Sequence, residues 1–108
     1  MINIDKFHET EIRIGKILSA EKVPETDKLL RLAVDFAEEN PRQIVSGISA
    51  YFPDPQTLVG RHVAFVANLE PRTIKGLESQ GMILAAHEGE AFSLLEVSSD
   101  IPPGTRVG

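Results

Sequence analysis

The sequence predicts an all-β domain of 108 residues: a small barrel of five short strands, with one short helical element between the third and fourth strands. Three observations carry that reading. Apolar and polar residues alternate with a period of two in run after run, as half-buried strands require. No stretch has the length and 3.6-residue periodicity of a packed helix, which excludes a bundle. A glycine also interrupts the first run, a device that lets a strand bend round a small barrel.

The elements follow in order. In EIRIGKILSA, Ile12 and Ile14 share one face while Glu11 and Arg13 share the other. Gly15 then shifts the parity so that Ile17 continues the apolar face, which reads as a bulge or sharp coil at the glycine. LLRLAVDF alternates cleanly, with Leu30, Leu32, Val34 and Phe36 inward and Arg31 and Asp35 outward. AEEN before Pro41 is a turn, and RQIVSGI is a short third strand.

YFPDPQTLVG carries Asp54 as an N-cap, Pro55 at the first helical position and Gly60 as a stop, hence one helical turn. In RHVAFVANL, Val63, Phe65, Ala67 and Leu69 form the apolar face, opposite His62 and Asn68. GMILAAH and AFSLLEV form a hairpin across His87-Glu88-Gly89-Glu90, and the proline-rich DIPPGTRV tail lies on the surface, fastening one end. This layout is that of an OB-like barrel, with a two-sheet sandwich as the alternative.

Composition narrows the function classes. Hydrophobic residues make up 42% and charged residues 25%, enough apolar surface for one core, so residues 1–108 read as a single domain. The absence of cysteine removes disulfides, thiolate metal sites and thiol nucleophiles together, and suits a reducing compartment. No apolar run approaches the roughly 20 residues needed to span a bilayer, and the N-terminus lacks the pattern of a signal peptide. The expected location is the cytoplasm, with no membrane partner. His8, His62 and His87 fall in separate segments without metal-ligand spacing. Ile-Val-Ser-Gly-Ile around Ser46 is not a nucleophile elbow, and no phosphate-loop or dinucleotide fingerprint occurs. The sequence therefore predicts no catalysis, metal or cofactor.

Charge is unevenly distributed. The formal net charge is -5, yet residues 42–76 hold Arg42, Arg61, Arg72 and Lys75 against only Asp54 and Glu70. The middle of the chain is locally positive within an acidic whole. Arg72 and Lys75 flank a loop ending at Gly76, where they serve either as solvated surface or as phosphate contacts. Asn68 ends a strand; its amide either donates to a phosphate or base edge, or caps the strand through nearby backbone. In Ser79-Gln80-Gly81-Met82, glycine admits close approach of a partner backbone. Ser79 and Met82 then offer one hydrogen bond and one soft apolar face.

Three of these segments also carry a family likeness. RQIVSGI (42–48), VANLEPR (66–72) and SQGMILAA (79–86) resemble the tRNA-binding domain at the C-terminus of many methionyl-tRNA synthetases. The likeness extends to stand-alone tRNA-binding proteins and to endothelial-monocyte-activating-polypeptide-II-like domains. FHETEIRIGKI, DKLLRLAVD and YFPDPQTLVGR match in register, so the resemblance runs from about Phe7 to Val107. It implies an OB-fold barrel that binds tRNA by shape and backbone, usually as a homodimer. It also implies a fused or associated synthetase.

Carried onto this chain, the implied contacts are Lys28, Arg31, Arg42, Asn68, Arg72, Ser79 and Met82, with Lys75 added for its charge. Glu70 departs from the pattern, standing where the family often places a lysine, and a carboxylate there costs affinity for phosphate. A second reading takes that departure and the acidic total together: a peptide-binding, chaperone-like homodimer of the same fold.

Overall fold

The computed structural model describes residues 1–108. Strands β1 (Ile12–Lys22), β2 (Leu30–Asp35), β3 (Arg42–Ser46) and β4 (His62–Val66) build the centre. Around them lie β5 (Arg72–Ile74), β6 (Leu77–Ser79), β7 (Met82–Ile83), β8 (Ala85–Glu88), β9 (Ala91–Leu94), β10 (Glu96–Val97) and β11 (Arg106–Val107). The main sheet runs β10-β4-β1-β2-β3, antiparallel throughout, with β7 added to β4 and β11 to β1. Two hairpins, β5–β6 and β8–β9, stand as separate two-stranded sheets. The predicted five-strand OB-like barrel is present as the main path.

Alternation fills the interior as expected along β2, where Leu30, Leu32 and Val34 are fully buried and Phe36 nearly so. Ile17, Ile44, Val63 and Phe65 meet them, and Phe36 stands edge-on to Phe65 with centroids 5.3 Å apart. Removing these side chains from water is the main force closing the barrel. β4 departs from the predicted one-sided pattern: all of His62–Val66 is buried, because β1 flanks it on one edge, β7 and β10 share the other, and both faces are covered. His62 donates from Nδ1 to the Ile101 carbonyl at 2.8 Å and so holds the C-terminal loop. Leu69, expected on the apolar face, lies beyond the end of β4 and is exposed.

The bulge is present but displaced. Pairing of β1 with β2 runs Ile17–Val34 and then Ser19–Ala33, so Leu18 is the extra residue, and β1 stays in regular register with β4 through Gly15. Gly15 answers a packing demand: a Cβ there would collide with Val34 Cγ1 and stand 2.9 Å from Phe36 Cε1.

Between β3 and β4 there are two 3-10 turns, Ser49–Tyr51 and Pro55–Leu58, where one helical turn was expected. The second is the anticipated one. Asp54 Oδ1 accepts from the Gln56 N–H at 3.1 Å, Pro55 opens the turn, and Gly60 follows with φ +91°. A short N-terminal helix α1 (Ile4–Phe7), capped by Asn3 Oδ1 on the Lys6 N–H at 2.8 Å, was not anticipated because one turn has too little periodicity to read. The expected late hairpin is shorter than its apolar runs. β8 pairs with β9, while Met82–Ile83 join β4 instead. The C-terminal tail does fasten the barrel end, with the Gly104 N–H on the Ile14 carbonyl at 2.7 Å and β11 against β1.

Replacing Gly15 with alanine therefore forces overpacking between β1 and β2. The expected cost is about 1 to 3 kcal/mol in urea unfolding, and a stability equal to the parent would contradict this account of the glycine.

Candidate nucleic-acid interface

One edge of the barrel organises the candidate residues. β3 pairs with β2 on one side and is flanked by the β5–β6 hairpin on the other. Ser79 Oγ accepts from the Val45 N–H at 3.0 Å and donates to the Gly81 carbonyl at 3.0 Å. Gln80 Oε1 accepts from the Gln43 N–H at 2.9 Å, while its own N–H reaches the Gln43 carbonyl at 2.8 Å. Gln43 Nε2 adds a bond to the Glu78 carbonyl at 2.9 Å. These bonds fix the hairpin so that its tip, Lys75-Gly76, projects beside the 23–29 loop.

Lys75 adopts a left-handed φ of +51° ahead of Gly76 at +80°. Few side chains other than Asn, Asp and Gly sit comfortably there, and such strain gathers at binding sites. Two clefts open on either side of it. The first, about 310 Å³, lies among Glu21, Lys22, Arg31 and Lys75, with Val23, Pro24 and Leu77 as its walls. The second, about 360 Å³, runs along the 25–29 loop from Lys28 to Ile74 and Lys75.

The eight sequence-derived residues sort by what their polar atoms already do. Lys28, Arg72 and Lys75 are exposed and make no ion pair or side-chain hydrogen bond within the chain. Arg31 is exposed on β2 and pairs with Glu21. Met82 is 46% exposed on β7, which settles its orientation outward. Gly81 before it is packed against Ile44 Cδ1 and the Val66 carbonyl, leaving no room for a side chain.

Ser79 is buried and Arg42 half-buried, while Asn68 is exposed but spends its amide on backbone. Asn68 Oδ1 accepts from the Glu11 N–H at 2.8 Å and Nδ2 donates to the Glu9 carbonyl at 2.7 Å, tying the N-terminal segment to the end of β4. Ser79 is 3% exposed.

Arg42 shares the parity of buried Ile44, so its guanidinium closes the end of the barrel, 5.2 Å above the Phe36 ring. It donates to the Ala67 carbonyl at 2.5 Å, to the Gln80 carbonyl at 3.2 Å and to both oxygens of Glu38 at 2.7 and 2.8 Å. Through these bonds Arg42 joins the backbone beside Asn68 to the backbone beside Ser79, and Ser79 pairs with Arg72 across the hairpin. The four residues lie contiguous along this edge, but Arg42, Asn68 and Ser79 spend their polar atoms on bonds within the chain.

Lys22 was missed by sequence reasoning. It ends β1 and lines the first cleft, yet its run reads as an ordinary solvated strand end until the loop brings it beside Lys75. Electrostatically the interface is mixed, since Glu21, Glu25 and Asp27 share the clefts with the cations. Hydrogen bonding from Arg42 holds the Glu38 carboxyl below its ordinary value, and the same bond raises Arg42. No group of three or more His, Cys, Asp or Glu residues converges to hold a metal ion.

Comparison with known proteins gives consistent results. Residues 12–106 match the family described as "Putative tRNA binding domain". The chain is 49% identical over 106 residues to a methionine–tRNA ligase of Thermotoga maritima, covering 98% of this chain and 16% of that protein. It thus spans about one-sixth of the length of the ligases it matches. Among solved structures it superposes on a MetRS related protein from Pyrococcus horikoshii with TM-score 0.92 and 37% identity, over 100% and 98% of the two chains. The chaperone CsaA from Bacillus anthracis superposes with TM-score 0.87 and 28% identity, over 100% and 99%.

Replacing Arg42 with alanine should cost about 2 kcal/mol, because the part-buried Ala67 carbonyl loses its donor and the tie to Gln80 and Glu38 is cut. The pH dependence has a definite sign. Glu38 titrates lower when folded than its ordinary value of 4.5. Its contribution is present above that value and is lost as pH falls through the folded one. Unfolding curves of the Arg42→Ala protein should show a shallower acid loss than the parent; parallel curves would rule out the coupling.

Proposed function

This chain belongs to the tRNA-binding domain family, and on that basis we propose that it is a non-catalytic module holding structured RNA by its sugar–phosphate backbone. One observation carries the reading: the unpartnered cations Lys28, Arg72 and Lys75 lie along the hairpin and the loop facing it, with Arg31 and Lys22 beside them. Phosphates on a backbone bound there meet a short cationic track. Met82 supplies an apolar contact, and Arg42, Asn68 and Ser79 act as positioning residues that keep the hairpin in place.

Base readout contributes little. No tryptophan occurs, and Phe36 and Phe65 are consumed by the core. Phosphate contacts fix register without reading sequence, so discrimination falls to the shape of a folded RNA, and tRNA is the proposed partner. Glu21 occupies Arg31 in the free protein, so RNA must displace a carboxylate before it gains that contact.

The module is proposed to act as a homodimer, fused to or associated with a synthetase in the cytoplasm. Support for pairing comes from Met1, Ile2 and Ile4, which are 126%, 69% and 64% exposed on the N-terminal segment. Covering Ile2 and Ile4 with a second copy would remove that apolar surface from water. Two linked weak sites would also gain affinity through effective concentration. Replacing Ile2 and Ile4 with glutamate should convert a dimer to monomer in sedimentation equilibrium; an unchanged mass distribution would remove the N-terminal segment from the interface.

The functional test is a titration of bulk tRNA against salt. With three or four phosphate contacts per subunit, log affinity should fall against log salt with a slope of about -2 to -4. Arg72→Glu and Lys75→Glu should each weaken binding roughly tenfold and flatten the slope, while Glu21→Gln strengthens it. Equal affinity for tRNA and for a random unstructured oligonucleotide would defeat the shape-based reading.

A further inference from the structure

A third cleft, sharing no residue with the pair around Lys75, lies between the first 3-10 turn and the β8–β9 hairpin. It has a volume of about 330 Å³. Tyr51 stacks on Phe92 with ring centroids 3.9 Å apart and planes 7° apart, and Phe52 meets Phe92 edge-on at 5.8 Å. Phe52 and Phe92 rest on the core, whereas Tyr51 is 42% exposed, leaving an aromatic surface in water.

Charges around the rings decide what fits. Arg61 is already committed: Nε donates to the Thr57 carbonyl at 3.0 Å, Nη1 donates to Glu96 at 3.3 Å, and Cζ lies 5.7 Å from the Phe52 centroid. Glu90 lines the same cleft with no ion-pair partner, and Glu88, across the turn, has none either. The available charge is negative, so a phosphate backbone is repelled and a cation beside an aromatic ring is favoured. The hairpin is a two-stranded sheet whose outer edges pair with no other strand, so an extended polypeptide can lie along it.

We propose that this cleft is a docking site for an extended cationic polypeptide segment. A lysine or arginine of that segment lies against the Tyr51–Phe92 stack and pairs with Glu90, and the apolar residues beside it cover the rings. The site is separate from the RNA face and stands whether or not that face binds RNA.

The test uses fluorescence anisotropy of a short labelled peptide alternating lysine with valine and tryptophan, with a glutamate-for-lysine version as control. The lysine peptide should bind the full chain and the control should not. Tyr51→Ala should weaken binding about three- to fivefold, and Glu90→Lys about fivefold. Arg72→Glu and Lys75→Glu should leave peptide binding unchanged, and tRNA should not compete.

No lysine-dependent binding, or binding indifferent to both Tyr51→Ala and Glu90→Lys, would overturn the proposal. So would displacement of the peptide by tRNA together with weaker tRNA binding in the Tyr51→Ala protein, which would make the rings a platform for bases. Loss of tRNA binding in the Arg72 and Lys75 variants reports on the RNA face alone, so the two readings fail separately.

Discussion

An exposed edge of β3 would offer unpaired backbone groups to any passing strand. Here the hairpin of residues 72–79 and the Ser79-Gln80-Gly81 turn after it saturate that edge. Side chains substitute for a regular ladder: Ser79 Oγ and Gln80 Oε1 accept from the Val45 and Gln43 N–H groups, and Gln43 returns a bond to Glu78. Arg42 locks the arrangement from the core side by binding the Ala67 and Gln80 carbonyls at once. A hairpin held at its base in this way has a fixed tip. That is why Lys75 can be kept at an unfavourable φ and aimed between two clefts rather than left waving in solvent.

The same arrangement reconciles an acidic chain with a polyanionic partner. Net charge governs behaviour at long range, but at physiological salt the field of an exposed charge fades within about 10 Å. Over that distance a phosphate of the proposed RNA would meet Lys22, Lys28, Arg31 and Lys75, with Arg72 along the hairpin, tempered by Glu21, Glu25 and Asp27. In the proposed role these carboxylates would lower the affinity and ease release of the RNA. Glu70, the departure from the family pattern, lies exposed just before Arg72 and adds to the same restraint.

Charge is partitioned over the surface in a way that total composition conceals. Cations without internal partners gather on the 72–79 hairpin and the loop facing it, while the β8–β9 hairpin presents Glu88 and Glu90 beside an aromatic stack. In both places the protein's own pairing decides which charges remain to act outward. Arg61 and Arg42 look on paper like free cations and are not, because Glu96 and Glu38 hold them.

Period-two alternation was enough to read the five-strand barrel and the inward set on β2, and capping residues the turn at Asp54-Pro55, because these depend on residues close in sequence. Parity on β3 was ambiguous, because Ile44 and Val45 are both apolar and both buried, so the position of the Arg42 guanidinium over Phe36 was not legible. The displaced bulge at Leu18 could not be read from the chain, since register is a property of two strands, and Gly15 is explained only by Phe36 and Val34 arriving opposite it. The burial of His62 depended on strands on both edges of β4. The commitment of Asn68 and Ser79 to backbone partners and the recruitment of Lys22 depended on segments up to 59 residues away. Local pattern specifies which side of a strand is apolar; which polar group is spent inside and which stays free is settled only when distant segments meet and satisfy each other's hydrogen bonds.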